Sequence, residues 1–184
     1  MRVVGGIHRG RKIKSPRGRT TRPTPDMVRE ALFNILNLKV VHCNFLDIFA
    51  GTGAVGLEAL SRGANYAAFI EKDRTACKII TENLESLDLL GKADVLCFNA
   101  TEGMKKLEKK DKSFDIIFLD PPYYKNEVDP CLEYLRNSGI LKPDSIIVVQ
   151  HPWDISIRHD GFICVKQKKY GKTILSFLIK EEKT

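Results

Sequence analysis

Asn44-Phe45-Leu46-Asp47-Ile48-Phe49-Ala50-Gly51-Thr52-Gly53-Ala54-Val55-Gly56-Leu57-Glu58-Ala59-Leu60 decides the fold. Cys43 to Ile48 is short and apolar enough for a buried strand, while Val55, Leu57, Ala59 and Leu60 begin a helical pattern, so Gly51-Thr52-Gly53 carries the reversal. Glycine is what a backbone needs if a ligand is to press against it there.

Gly51-x-Gly53-x-x-Gly56 matches the dinucleotide fingerprint, and Glu71 follows 20 residues after Gly51, where a ribose-binding acid stands. Asp47 argues for a different ligand. A carboxylate beside the helix N-terminus repels a pyrophosphate, and no Lys or Arg lies between 40 and 61 to offset it. An adenosine ligand with a positive centre and no phosphate suits the turn better, and S-adenosylmethionine is the common candidate.

Downstream, Ala67 to Glu71 reads as a second buried strand, and Arg74 to Leu90 as a helix with Ala76, Ile79, Ile80, Leu84 and Leu87 on one face. Asp94 to Phe98 gives a third strand closed by Asn99-Ala100, and Thr101 to Lys110 a short polar helix. Phe114 to Leu119 is a fourth strand, Val128 to Asn137 a helix, Ser145 to Val149 a fifth strand. Phe162 to Lys168 and Thr173 to Ile179 make a terminal hairpin. Strands alternating with helices imply a parallel α/β sheet, in which ligands bind beyond the carboxyl ends of the strands; Asp47, Glu71 and Asn99 are thus expected in one crevice.

The fourth strand delivers Asp120-Pro121-Pro122-Tyr123. Two prolines fix φ and remove two donors, which makes a rigid frame. Asp120 and the Pro121 carbonyl are acceptors able to grip the two hydrogens of a nucleobase amine, and Tyr123 offers a face for an extruded base. Catalysis by positioning, without a metal, is the expectation.

Of the 184 residues, 43% are hydrophobic and 29% charged, enough for one domain that buries about two thirds of its unfolded surface. No apolar run approaches the ~18 residues of a membrane span, and no secretory signal is read. The five cysteines (43, 77, 97, 131, 164) are odd in number, widely spaced and free of ligand-like patterns with histidine, which reads as reduced core residues in a cytoplasm and no metal site.

The net charge of +7 is localised. Arg2, Arg9, Arg11, Lys12, Lys14, Arg17, Arg19 and Arg22 stand in residues 1–22 without an acid, and the remaining 22 basic residues face 23 acids. Glycine and proline spacing makes this a basic β-hairpin or arm (1–22) ahead of the main domain (23–184), with a polyanion as partner. A transit peptide and a solvated tail are the competing readings. Thr24-Pro25-Asp26 opens a helix to about Asn37, with Val28, Leu32, Ile35 and Leu36 inward and Arg29 and Glu30 largely outside.

Nearly the whole chain, Arg2 to Lys180, resembles the RsmD-type methyltransferases of bacteria, which modify N2 of a guanine in small-subunit (16S) ribosomal RNA. The likeness rests on Gly5-Gly6 and Gly10-Arg11, Arg22-Pro23-Thr24, Val28 to Phe33, Leu46-Asp47-x-Phe49-Ala50-Gly51-Thr52-Gly53, Gly56 to Arg62, Ile70 to Asp73, Asn83-Leu84, Asn99-Ala100, Asp120 to Tyr123 and Tyr170-Gly171. The chain differs at Gln150-His151, where the family is expected to carry a glutamate.

The resemblance implies a Rossmann-like class I methyltransferase fold, a mostly parallel seven-stranded sheet ending in an antiparallel hairpin. It implies that Asp47, Phe49, Gly51, Gly53 and Asp120 line the cofactor, with Glu71 on the ribose and Asn99 and Ala100 on the adenine. Asp120, Pro121 and Tyr123 would be catalytic, and Arg2, Arg9, Arg11, Lys12, Arg17, Arg19 and Arg22 would face RNA. A monomer acting on RNA already assembled with early ribosomal proteins is expected. Competing readings are a DNA adenine-N6 or cytosine-N4 methyltransferase, disfavoured because no target-recognition domain is evident, a nicotinamide-dependent dehydrogenase, opposed by Asp47, and a noncatalytic RNA-binding assembly factor.

Overall fold

The computed structural model describes residues 1–15, 26–122 and 127–181. Helix α1 (Asp26–Leu36) leads through a 3-10 turn to strand β1 (Asn44–Ile48), and the glycine turn passes the chain into α2 (Ala54–Ser61). Then follow β2 (Tyr66–Glu71), α3 (Arg74–Ser86), β3 (Ala93–Cys97), α4 (Ala100–Glu108), β4 (Phe114–Leu119), α5 (Val128–Asn137), β5 (Leu141–Pro152), β6 (Phe162–Tyr170) and β7 (Thr173–Lys180). The seven strands stand in the order β3-β2-β1-β4-β5-β7-β6, and β7 alone runs opposite to the other six.

Successive strand residues face opposite sides, so β1 sends Phe45 to one core and Leu46 and Ile48 to the other. The first core packs α1, α2 and α3 on the sheet through Leu32, Phe33, Leu57, Ile80 and Leu84. The second packs α4 and α5 through Met104, Leu107, Leu132 and Leu135. Helix α3 stops at Ser86, short of the expected Leu90, because Asp88 takes a left-handed φ of 57°. Strand β5 starts at Leu141, before the expected Ser145. Pairing with β4 begins there and continues across a bulge, with Asp144 at φ 60°. The helix cap expected from Thr24 and Pro25 lies outside the described residues.

Residues 1–15 form a hairpin bridged at Arg2 and Lys12, and it is docked, which removes the solvated-tail reading for this stretch. Val3 and Ile13 are buried in the first core. Ser61 donates its hydroxyl to the Gly5 carbonyl at 2.6 Å, and the Val4 N–H donates to Glu58 at 2.8 Å. Asn83 both accepts from the Lys14 N–H at 2.7 Å and donates to the Lys14 carbonyl at 3.1 Å, in the manner of a strand neighbour. Gly6 allows the approach: its φ is +76°, and a Cβ there would lie 1.9 Å from the Ser61 carbonyl oxygen.

His151 is a buried polar group whose partners assign its protonation. The Pro152 carbonyl, 2.9 Å from Nδ1, can only accept, so Nδ1 carries the hydrogen and Nε2 accepts from the Ser176 hydroxyl at 2.9 Å. Burial holds the imidazole below its ordinary value of 6.5. The unfolded chain therefore binds this proton more readily, so the contribution to stability is complete above about pH 6.5 and is lost as pH falls toward the lower folded-state value. The denaturant midpoint is expected to drop between pH 7.5 and 5.5, and to drop less in His151→Gln. An identical pH response in both proteins would remove His151 as the cause.

Candidate active site at the strand ends

Register brings the acids together. Asp47 lies opposite Phe69 of β2 and Phe118 of β4, and Glu71 lies opposite Cys97 of β3, so Asp47, Glu71, Asn99 and Asp120 all reach one edge of the sheet. Asp47 is buried and its Oδ2 accepts the N–H of Gly56, the third residue of α2, at 2.9 Å. The carboxylate thus occupies the helix N-terminus, where a phosphate would otherwise bind. Burial pushes Asp47 up to about 8, against the Gly56 hydrogen bond, and the charges of Asp120 and Glu71 push the same way. A site crowded with negative charge and lacking a basic residue at 40–61 fits a cationic ligand.

Glu71 anchors the turn. One carboxylate oxygen accepts the Gly51 N–H at 2.9 Å and the other the Asp73 N–H at 2.9 Å, while Asp73 caps α3 by accepting from the Ala76 N–H at 2.8 Å. Phe49 stands at φ +67°, a left-handed conformation that a bulky side chain rarely adopts, with Gly51 and Gly53 at +54° and +75°. A Cβ on Gly53 would lie 3.1 Å from Ile80 and 3.3 Å from Phe69. Gly53→Val would therefore strain the backbone and the core as well as crowd a ligand.

Asn99 caps α4 by accepting the Glu102 N–H at 2.9 Å, with Ala100 the first residue of that helix. Asp120 follows β4 half-buried, Pro121 is buried and Pro122 exposed; Tyr123 lies outside the described residues. Gln150, one residue beyond the partner of Leu119, is buried, and its Oε1 has no hydrogen-bond partner among the described residues. It adds no charge to this edge.

On the hairpin, Arg2, Arg9, Arg11 and Lys12 are exposed, whereas Arg17, Arg19 and Arg22 lie outside the described residues. Arg2 pairs with Asp26 at 3.7 Å, Arg11 donates to the Ser86 carbonyl at 2.9 Å, and Lys14 pairs with Glu82 at 2.8 Å. Of the cysteines, Cys43, Cys77 and Cys131 are buried and Cys164 is half-buried, but Cys97 is exposed at the end of β3, which corrects its placement in the core. Among the described residues no cluster of His, Cys, Asp or Glu could hold a metal, and no helix is long and apolar enough to cross a membrane.

Arg29, expected largely outside, is buried, and it meets a second buried charge that the sequence reading left unplaced. Arg29 and Glu58 are both fully buried, with Arg29 Nε 3.6 Å from Glu58 Oε2. Arg29 also donates to the Arg2 carbonyl at 2.6 Å and to Asp26 at 3.0 Å, and Glu58 accepts from Arg62 Nε at 2.8 Å. The pattern held the signal: Arg29, Phe33 and Leu36 share one helical stripe, and Glu58 sits in a helix that is apolar all round.

This sheet order, with a glycine turn after β1 and Asp-Pro-Pro after β4, defines a class I methyltransferase. Residues 1–179 match the family model described as Conserved hypothetical protein 95, and the chain belongs to that family, the RsmD family. It is 41% identical over 150 residues to the Ribosomal RNA small subunit methyltransferase D of Escherichia coli, covering 82% of this chain and 74% of that one. It is 33% identical over 175 residues to the Putative rRNA methyltransferase YlbH of Bacillus subtilis, covering 94% and 95%. The solved structure of the putative methyltransferase yhhF of Escherichia coli superposes with a TM-score of 0.85 at 35% identity, over 100% of this chain and 99% of that one.

Proposed function

We propose that this crevice transfers a methyl group from S-adenosylmethionine to the N2 amine of a guanine in small-subunit (16S) ribosomal RNA, within an assembling subunit in the cytoplasm and as a monomer. The observation that carries the cofactor is Asp47 seated at the N-terminus of α2 beside two further acids. The names of the relatives support ribosomal RNA as the substrate.

Bound S-adenosylmethionine supplies an electrophilic methyl on a sulfonium and leaves as S-adenosylhomocysteine. The chain supplies position and charge. Asp47 faces the cationic methionine part, Phe49, Gly51 and Gly53 give it room, Glu71 accepts from the ribose hydroxyls, and Asn99 and Ala100 bound the adenine. Asp120 and the Pro121 carbonyl hold the two amine hydrogens so that the nitrogen lone pair faces the methyl, and Asp120 is placed to take the proton released. Tyr123 is assigned to stacking on the base.

Two measurements test this reading. Nucleoside mass spectrometry of 16S ribosomal RNA from cells with and without the protein should show one N2-methylguanine that depends on it; no difference would end the assignment. For the cofactor, Asp47 must ionise to meet a cation. Because its free-state value is raised to about 8, affinity for S-adenosylmethionine is expected to rise between pH 6.5 and 8, by at most about tenfold per pH unit, and then to flatten. Asp47→Asn should bind weakly, with the slope due to this group lost. A wild-type slope no steeper than that of the variant contradicts the proposed role of Asp47.

A further inference from the structure

Outside the N-terminal hairpin the charges nearly cancel in number, but they are not evenly spread. Residues 161–180 contain Lys166, Lys168, Lys169, Lys172 and Lys180 and no acid. The first four lie on β6 and its turn into β7, all exposed. Among the described residues no carboxylate approaches any of those four within ion-pair distance, in contrast to Arg2 and Lys14 of the N-terminal hairpin.

Strand β6 is an edge of the sheet, so its outer side has no neighbouring strand among the described residues. Alternation along it sends Lys168 and Lys169 to opposite faces, so the two ammonium groups straddle the edge. The turn end of this hairpin is level with the crevice. Tyr170 and Pro152 both pair with Thr173, and Pro152 stands three residues beyond Val149, the partner of Leu119 just before Asp120. Trp153 completes the corner: its backbone N–H donates to the Lys172 carbonyl at 3.0 Å, Lys169 Nζ lies 4.6 Å from its ring centroid, and the residue is 53% exposed.

We propose that this corner, Trp153 with Lys168, Lys169 and Lys172, is a second RNA-binding surface that holds the strand flanking the target nucleotide. It lies at the β6 edge of the sheet, whereas the N-terminal hairpin docks on α2 and α3, which pack on β1, β2 and β3. With β6 three strands from β4, the lysines stand about 14 Å from the amine-gripping loop, close enough for nucleotides adjoining an extruded base. Lysines on an edge strand also discourage sheets from pairing edge to edge, but that role asks for no exposed tryptophan. An exposed ring beside ammonium groups that no carboxylate neutralises among the described residues is what single-stranded RNA requires.

The inference rests on the ribosomal RNA reading, and the test separates the two. Binding of 16S ribosomal RNA is measured against salt for the full chain, the triple variant Lys168→Gln, Lys169→Gln, Lys172→Gln, and Trp153→Ala, with calorimetric titration of S-adenosylmethionine as the check that each is folded. The triple variant should lose about two units of the log-log salt slope, since each phosphate contact contributes about 0.7 to 0.9, and bind at least tenfold more weakly at 100 mM salt. Trp153→Ala should weaken binding roughly 5- to 100-fold with the slope unchanged, and Trp153→Phe should restore most of it. If wild-type protein binds and methylates the RNA while the triple variant keeps its slope, this surface is overturned and the function stands. An unchanged slope with concentration-dependent self-association would assign the lysines to guarding the edge and equally overturn it. Failure of wild-type protein to bind or methylate any ribosomal RNA would instead defeat the parent reading.

Discussion

Asp120→Ala is expected to bind S-adenosylmethionine and RNA much as the wild type does and to lose turnover by about 100- to 1,000-fold, the scale on which one preorganised transition-state contact acts. The side chain stands at the end of β4, a rigid strand with neighbours on both sides, and is followed by two prolines, so its removal leaves the frame in place. Because the charge of Asp120 helps to raise Asp47, the variant should also ionise Asp47 at lower pH, which offsets the loss of one acid facing a cationic cofactor. Near-normal cofactor affinity with a large loss in rate is a pairing that global damage would not produce. Asp120→Asn separates charge from acceptor: its amide oxygen still accepts one amine hydrogen but offers no base, so intermediate activity is expected. Near wild-type turnover in Asp120→Ala, measured as single-turnover methylation, would mean that the amine is held by other groups.

The sheet and the crevice were legible in the sequence because both follow from local rules. A buried parallel strand is a short apolar run, a turn that meets a ligand needs glycine, and helices α4 and α5 appeared where apolar residues recur three and four positions apart. Asp47, Glu71 and Asn99 could be placed at one edge because each stands within two residues of a strand's carboxyl end. What sequence could not reveal were contacts between segments far apart in the chain. The hairpin 1–15 looks detachable as a string of charges and glycines; only the docked structure shows Val3 and Ile13 in the core and Glu58 and Asn83 bonded to its backbone. Deleting residues 1–21 would therefore open the core and orphan buried polar groups, and loss of RNA binding in that deletion would not report on charge alone. Arg9 and Lys12, exposed and outside any ion pair among the described residues, are the cleaner substitutions. The Trp153 corner escaped notice for the same reason, since Trp153 and Lys169 are 16 residues apart in sequence and meet across β7.

The buried pair Arg29 and Glu58 should carry the largest stability effect in the molecule. Removing one partner of such a pair leaves an uncompensated charge in the interior and costs about 3–5 kcal/mol. Glu58→Ala is the more severe change, because Glu58 also accepts from the Val4 N–H at 2.8 Å and from Arg62 at 2.8 Å, so two donors would lose their acceptor while Arg29 loses its ion partner. Glu58→Gln keeps an acceptor for Val4 but not the charge, and should fall between Glu58→Ala and the wild type. The double variant Arg29→Met, Glu58→Leu fills the same space with apolar atoms and should recover much of the lost stability, giving a coupling energy of the size expected for contacting residues, about 0.5–3 kcal/mol. Stability alone is not what the pair accomplishes, however. Arg29 holds the Arg2 carbonyl and Asp26, so it ties the basic hairpin to the start of α1, and residues 16–25, with Arg17, Arg19 and Arg22, connect the two. The double variant should therefore refold to a denaturant midpoint near that of the wild type and bind S-adenosylmethionine normally, yet bind RNA less well, because Arg2 has lost its tether. If RNA affinity returns together with stability, the pair is only a packing element, and the hairpin keeps its position through Glu58-independent contacts such as Asn83 with Lys14.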